Sequence, residues 1–233
     1  MSDAAERSLG GIPLFADLRP AERATLEQQA AFRRYMAGEQ IIDRQSDSRD
    51  MFFVVRGTVR VVVYSASGRE VSFEDIDAGG YFGELAALDS RPRSASVVAL
   101  TNTVVASISP AVLERMLAEH PKIGLELMRR LTRVIRQATD RIVDLSTLGA
   151  NNRVYAELLR LAKPNPKDAG RTSVIRPVPI HGDIAARVST TRETVARVLS
   201  DLSKKHLVVK EGASLIIKDI KRLRDMVEHF RID

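Results

Sequence analysis

Two short stretches of this chain carry side chains able to do chemistry. The first, Phe82-Gly83-Glu84-Leu85-Ala86-Ala87-Leu88, leads into Arg91-Pro92-Arg93-Ser94-Ala95. A glycine ahead of a short helix lets backbone N–H groups approach an anion, and the start of a helix favours negative charge there. Arg93, ten residues beyond Gly83, is placed to return across the turn as a planar fork of donors for phosphate oxygens, and Ser94 adds a hydroxyl. Glu84 beside a phosphate would be repelled unless it accepts from a sugar hydroxyl. An acid next to an anion site therefore argues for a ligand with both ribose and phosphate. On these residues alone, a structural Glu84–Arg93 salt bridge closing a loop competes with that reading.

The second stretch begins with a short helix, Asp183-Ile184-Ala185-Ala186-Arg187-Val188. A turn at Ser189-Thr190 follows, then a second helix from Thr191 to about Lys204. Ile184, Ala185, Val188, Val195, Val198, Leu199 and Leu202 mark the buried faces, and small Ala185 lets the helices approach closely. Thr190 with Glu193 three residues later reads as a capping box. Capping does not explain Arg192 and Arg197, which bracket Glu193. A helix in the major groove turns its first residues to base edges. There Arg matches guanine O6 and N7, and Glu accepts from cytosine N4. For each residue the competing reading is a solvated charge, and for Glu193 it is the cap itself; both roles can hold at once.

Charge supports the second stretch. Residues 187–224 hold ten Lys/Arg against four Asp/Glu, a surplus equal to the net +6 of the whole chain. A neutral body with a basic C-terminal segment is the pattern of a polyanion binder. Several classes fall away. With no cysteine, disulfides, thiolate zinc sites and cysteine-held iron–sulfur clusters are excluded, which fits a reducing cytoplasm. The four histidines, His120, His181, His206 and His229, lack metal-ligand spacing, so no metal is expected. No apolar run approaches the ~18 residues of a membrane span, and the polar start at Met1–Gly10 is unlike an export signal. The chain reads as a cytoplasmic protein and not an enzyme.

The elements that position these residues follow from pattern. Met51–Val55, Thr58–Tyr64, Glu70–Ile76, Ser94–Leu100 and Thr103–Ile108 read as strands, with turns at Ser65-Ala66-Ser67-Gly68 and Ala78-Gly79-Gly80. Short helices at Pro20–Ala31 and around Leu85–Leu88 interrupt them. Ser109-Pro110 is an N-cap followed by proline at the first helical position. Helical periodicity then runs to about Leu148, broken once near His120-Pro121. Within it Gly124, Met128, Leu131, Ile135, Ala138, Ile142 and Leu145 step by four and three residues, a coiled-coil seam. Flanking Arg129, Arg130, Arg133, Arg136 and Arg141 keep that seam narrow, which favours a parallel dimer over packing on the chain's own barrel. Leu148-Gly149-Ala150-Asn151 is a hinge, Asn152–Lys163 a helix and residues 164–170 an exposed loop. A strand pair around Val208–Val209 and Leu215–Ile217 precedes a last helix from Asp219, with Ile220, Leu223, Met226, Val227 and Phe230 apolar. The fold class is α+β: an N-terminal antiparallel β-roll or barrel, a long dimerisation helix and a C-terminal winged helix-turn-helix. The divisions are 1–110, 111–148 and 149–233.

Both stretches resemble the Crp/Fnr-type transcription regulators, on the catabolite-activator side of that family. The matching strings are Gly83-Glu84-Leu85-Ala86 and Pro92-Arg93-Ser94-Ala95. Upstream stand Phe52-Phe53-Val54-Val55-Arg56-Gly57, Gly68-Arg69-Glu70 and Gly79-Gly80-Tyr81-Phe82 in order. Downstream, Arg192-Glu193-Thr194-Val195-Ala196-Arg197 repeats the family's recognition-helix string. The resemblance implies that Arg93, Ser94 and the N–H groups of Leu85 and Ala86 hold a cyclic phosphate, that Glu84 takes the ribose 2′-hydroxyl, and that Val61 and Phe73 line the pocket. The two positions where family members meet adenine are Ala138 and Thr139 here. Thr139 keeps a hydroxyl and Ala138 has none, so cyclic AMP is expected and cyclic GMP stays open. Arg192, Glu193 and Arg197 are implied as base contacts, Thr191 and Thr194 as phosphate contacts, on palindromic duplex DNA with TGTGA-like half-sites. Ser200 and Ala213 replace two phosphate-contacting lysines, with Lys204, Lys205 and Lys210 nearby. A homodimer is implied, with RNA polymerase as partner through the loop at 165–171. Haem sensing is disfavoured, since no histidine falls in the barrel or dimer helix. A regulator with a vestigial barrel that binds DNA without nucleotide is the alternative.

Overall fold

A computed structural model describes residues 7–65, 70–168 and 170–228. The turn at residues 66–68, the Gly68-Arg69 part of the resemblance, Ala169, His229 and Phe230 lie outside the described residues. The chain divides into two compact units, residues 1–132 and 133–233.

In the first unit eight strands are described: β1 (Ala31–Tyr35), β2 (Gln40–Ile42), β3 (Met51–Arg56), β4 (Thr58–Tyr64), β5 (Glu70–Asp77), β6 (Tyr81–Phe82), β7 (Ser96–Ala99) and β8 (Thr103–Ile108). They form two four-stranded sheets, ordered β1-β8-β3-β6 and β2-β7-β4-β5. The pairings are antiparallel, as expected of a roll. Helix α1 (Pro20–Gln29) precedes β1, short α2 (Glu84–Asp89) follows β6, and α3 (Pro110–Glu119) and α4 (Pro121–Thr147) follow β8. Met-Phe-Phe-Val-Val in β3 does not alternate because both faces of its sheet are buried. Phe52 and Val54 enter the core between the sheets with Val59, Ile76, Phe82 and Val97. Met51 and Phe53 point the other way, into a layer with Leu26 of α1, Leu113 and Met116 of α3, and Leu127 of α4. Strands β1, β2 and β6 have no clear pattern, being short, edge-placed or partly polar, as in Arg33-Arg34. Gly57 joins β3 to β4 at φ +88°, and a Cβ there would lie 2.4 Å from Thr103 Oγ1, so only glycine fits.

Helix starts follow the local signals. Ser109 Oγ accepts from Val112 N–H at 3.4 Å ahead of Pro110. His120, held out of helical geometry by Pro121, separates α3 from α4. Along α4, Met128, Ile135, Ile142 and Leu145 are 59%, 66%, 63% and 50% exposed. Arg130 does more than flank the apolar seam: it turns onto the roll, where it meets Glu74.

The second unit holds α5 (Ala150–Leu161), β9 (Lys163–Pro164), β10 (Ser173–Ile175), α6 (His181–Arg187), α7 (Arg192–Lys204), β11 (Val208–Glu211), β12 (Ser214–Ile217) and α8 (Ile220–Glu228). Helix α5 begins two residues before the expected Asn152, because Gly149 is its N-cap. Its sheet, ordered β11-β12-β10-β9, packs as a wing against a core of Val154, Leu158, Ile184, Val195, Leu202, Ile217 and Leu223. A charged cluster is sealed beside that core. Glu157, 1% exposed, accepts from Arg160 at 3.2 Å and pairs with Arg187 at 3.7 Å, and Arg160 also pairs with buried Asp144.

Candidate functional site

The first candidate site lies in the roll. Gly83 caps α2 at φ +78°. A Cβ there would stand 2.8 Å from Arg93 Nη1 and 3.1 Å from Asp50 O, so both conformation and close approach demand glycine. The first helical hydrogen bond is Ala87 N–H to Gly83 O at 3.4 Å. The preceding N–H groups of Leu85 and Ala86 therefore have no acceptor within the helix.

Arg93 is 5% exposed, with its guanidinium 5.6 Å from the Phe52 ring centroid. Phe52 in turn stacks on Phe82 at 5.2 Å. The fork does not open fully towards the glycine turn, as the spacing suggested. Nη1 donates to Gly83 O at 3.0 Å, and Nη2 donates to Ser48 Oγ at 2.9 Å and Asp50 O at 2.8 Å. Nε is buried and has no partner among the described residues. The Glu84–Arg93 salt bridge that competed as an explanation is not formed. A buried donor without an acceptor is costly unless something supplies one. Ser94 is exposed, Val61 half-buried against the inter-sheet core, and Phe73 44% exposed.

Two further residues of this site, Arg130 and Glu74, stand outside the sequence motifs. Arg130 donates to Glu74 Oε2 at 3.1 Å and lies 4.7 Å above the Tyr81 ring centroid. Its side chain is 18% exposed and its Nε is buried without a partner among the described residues. Glu84 is close enough to feel Arg130, Glu74 and Arg93. Burial pushes its carboxyl above the usual range, against the opposing pull of its own N–H, Arg130 and Arg93. Burial likewise pulls Arg93 down, against the nearby acids Asp50 and Glu84. The signal that points to Arg130 is its place in the first half of α4, one turn past buried Leu127 and two past buried Ile123; heptad spacing points elsewhere.

The second candidate site is on α6 and α7. The N-cap of α7 is Thr191, not Thr190: Thr191 Oγ1 accepts from Thr194 N–H at 3.2 Å. The cap moves one residue because Ser189, at φ +52°, lengthens the turn. That turn is held by Arg153, which donates to Val188 O at 2.8 Å, Ser189 O at 3.1 Å and Leu148 O at 2.9 Å. Val195, Val198 and Leu202 are buried, leaving Arg192, Glu193 and Arg197 exposed together. Glu193 is held below the usual carboxylate range, first by its own N–H and then by the Thr191 hydroxyl. Arg192 lies across Gly182, where a Cβ would meet its Nε at 2.8 Å. With Ile180 and His181 it borders an open hollow of about 440 Å³. In α4, Thr139 donates its hydroxyl to Ile135 O at 3.0 Å. Among the described residues no group of acids and histidines could hold a metal, and no helix is long and apolar enough to cross a membrane.

Comparison with known proteins bears on both sites. Residues 32–120 match the cyclic nucleotide-binding domain and residues 152–226 the Crp-like helix-turn-helix domain. The cyclic AMP receptor protein of Thermus thermophilus is 31% identical over 216 residues, covering 93% of this chain and 97% of that one. The CRP-like cAMP-activated global transcriptional regulator of Mycobacterium tuberculosis is 26% identical over 210 residues, covering 90% and 94%. Among solved structures, a CooA mutant from Carboxydothermus hydrogenoformans superposes with a TM-score of 0.79 at 18% identity over 96% of this chain and 99% of that one. The Thermus thermophilus catabolite activator protein gives 0.53 at 27% identity over 94% and 99%.

Proposed function

The chain belongs to the Crp/Fnr family of transcription regulators, with a cyclic nucleotide-binding domain ahead of a Crp-like helix-turn-helix, and from that premise we propose a homodimer whose grip on duplex DNA responds to a 3′,5′-cyclic purine nucleotide. The observation that carries the ligand half is Arg93 Nε, a buried cationic donor with no acceptor, behind a glycine turn whose N–H groups are also unpaired within the helix. A cyclic phosphate supplies the missing acceptors, and Ser94 stands at the exposed rim. Glu84 accepts from the ribose 2′-hydroxyl, with Val61 and Phe73 against the base. Relatives' names make cyclic AMP the first ligand to try. Isothermal titration of the purified chain with cyclic AMP and cyclic GMP tests this, and absence of heat with either removes the ligand.

The role given to Glu84 has a pH signature. Only the ionised carboxylate accepts a hydroxyl without competition from its own proton, and burial raises its pKa. Nucleotide affinity is therefore full above that raised pKa and falls as pH drops through it, earlier than an ordinary carboxylate at about 4.3 would dictate. Glu84→Gln is expected to bind more weakly and to flatten the profile over that range. An unchanged profile in the variant disproves the assignment.

DNA recognition is assigned to Arg192, Glu193 and Arg197 at base edges, with Thr191 and Thr194 at phosphates and TGTGA-like half-sites arranged as a palindrome. Arg192→Ala is expected to cost about 1–3 kcal/mol of specific affinity and to relax preference at one base pair. Selection from a randomised half-site reads this directly, and a site preference identical to the parent's refutes it. The exposed apolar stripe of α4 is assigned to the second copy of the chain. Only a ligand with different affinities for two arrangements of the DNA-binding domains shifts their equilibrium. Thr139 and the Gly149 joint are assigned to that coupling, within the functional division 1–110, 111–148 and 149–233. The loop at 165–171, tied by Asp168 to Thr172, is assigned to RNA polymerase, and the site of action to the cytoplasm. The second reading, a vestigial barrel, predicts full DNA shifts without nucleotide.

A further inference from the structure

Strands β4 and β5 pair with Val61 directly opposite Glu74 and Val59 opposite Ile76. Opposed residues share a face, and Val59 and Ile76 enter the inter-sheet core with Val61 against it. Glu74 is thus an acid on the inward-facing side of the roll, with its side chain 41% exposed. Arg130 pairs with its Oε2 at 3.1 Å, while Oε1 takes no hydrogen bond among the described residues. Stacking on Tyr81 keeps Arg130 in place, and its own Nε is buried and unpartnered. Beside Glu84, the acid assigned to ribose, the wall therefore carries a partly exposed carboxylate next to a buried donor that has no partner among the described residues.

We propose that Glu74, steadied by Arg130, reads the base of the bound nucleotide and selects guanine over adenine. The claim rests on the nucleotide site proposed above and adds the identity of its ligand. A carboxylate is acceptor-only, and its two oxygens match two adjacent donors. Guanine presents such a pair, N1–H and the N2 amino group, with O6 beside them as acceptor for a guanidinium. Adenine offers one donor, the N6 amino group, and next to it the N1 lone pair, which faces the second carboxylate oxygen with like charge. Three positions are matched by guanine and at most two by adenine. Cyclic inosine monophosphate, which keeps N1–H and O6 but lacks the amino group, falls between them.

The test is titration of the full-length protein with cyclic GMP, cyclic inosine monophosphate and cyclic AMP, repeated on Glu74→Gln. The parent is expected to bind cyclic GMP about ten- to a hundredfold tighter than cyclic AMP, the discrimination of one bidentate contact to a base, with cyclic inosine monophosphate intermediate. In Glu74→Gln, whose amide offers one donor and one acceptor, cyclic GMP is expected to lose that advantage while cyclic AMP holds or gains. Glu74 is partly exposed, so the variant is expected to melt with the parent; the three-ligand series on the unaltered chain decides the matter even if it does not. Cyclic AMP binding as tightly as cyclic GMP in the parent overturns the proposal, as does an unchanged ratio in the variant. Heat with none of the three overturns the nucleotide site itself, a failure distinct from choosing the wrong base.

Discussion

Replacing Arg93 by leucine is expected to abolish measurable nucleotide binding and, at the same time, to destabilise the first unit by about 2–3 kcal/mol. The two effects have one origin. The guanidinium is 5% exposed and closes three hydrogen bonds, to Gly83 O, Ser48 Oγ and Asp50 O. Leucine leaves those acceptors facing an apolar side chain, and a bond to a charged donor is worth about 1.5–3 kcal/mol, offset here by the relief of desolvating the arginine. The loop from Ser48 to Asp50 then loses its tie to the turn at Gly83, so the N–H groups that would receive the phosphate are no longer aimed. Arg93→Lys separates the two effects. A lysine restores the charge and reaches one acceptor, but it cannot form the fork. It is expected to recover much of the melting temperature and little of the affinity. Thermal melts with and without nucleotide check both points, because saturating ligand at 100 Kd adds about 2.7 kcal/mol to a protein that binds it. A nucleotide-induced rise in Tm as large in Arg93→Leu as in the parent would show that the anion site lies elsewhere.

Glu157→Ala is expected to cost the second unit about 3–5 kcal/mol, the penalty for breaking a buried ion pair from one side. The carboxylate is 1% exposed and stands between Arg160 at 3.2 Å and Arg187 at 3.7 Å. Without it Arg160 and Arg187 lose the carboxylate they share, while Asp144 still pairs with Arg160. Helix α6 opens the helix-turn-helix, so slack there reaches the placement of α7. Specific DNA affinity is expected to fall with stability, whereas nucleotide binding in the first unit persists. Denaturant unfolding followed by ligand titration separates the units. A second-unit transition at the parent's midpoint would show that the cluster contributes nothing net. Glu157→Gln, which keeps a hydrogen-bond acceptor, is expected to lose less.

The features legible in the amino-acid sequence share one property: each is decided within a few residues. Ser109-Pro110 starts a helix because an N-cap hydroxyl and a proline act on the turn that follows them. Gly83 and Gly57 announce turns because positive φ is a property of one residue. The strands β3, β4 and β8 appear in the pattern because β-branched and aromatic runs leave few alternatives. Even the one-residue displacement of the α7 cap is local, a threonine for its neighbour. It arises because Ser189 adopts a left-handed conformation that serine does not advertise.

Composition and spacing thus specify the order of parts: a roll with a glycine turn ahead of a short helix, a long helix with an apolar stripe, and a basic helix-turn-helix. Which side chains meet is settled by tertiary packing. Arg130 and Glu74 are 56 residues apart, and Arg93 and Ser48 are 45 apart. Heptad spacing places Arg130 only beside the apolar seam, and the packing of Ile123 and Leu127 on the roll turns it inward. A charged side chain has the same local signature whether it ends in water or beside a buried acid. Its partner is chosen by the closing of the sheets, and that choice leaves no periodic trace along the chain.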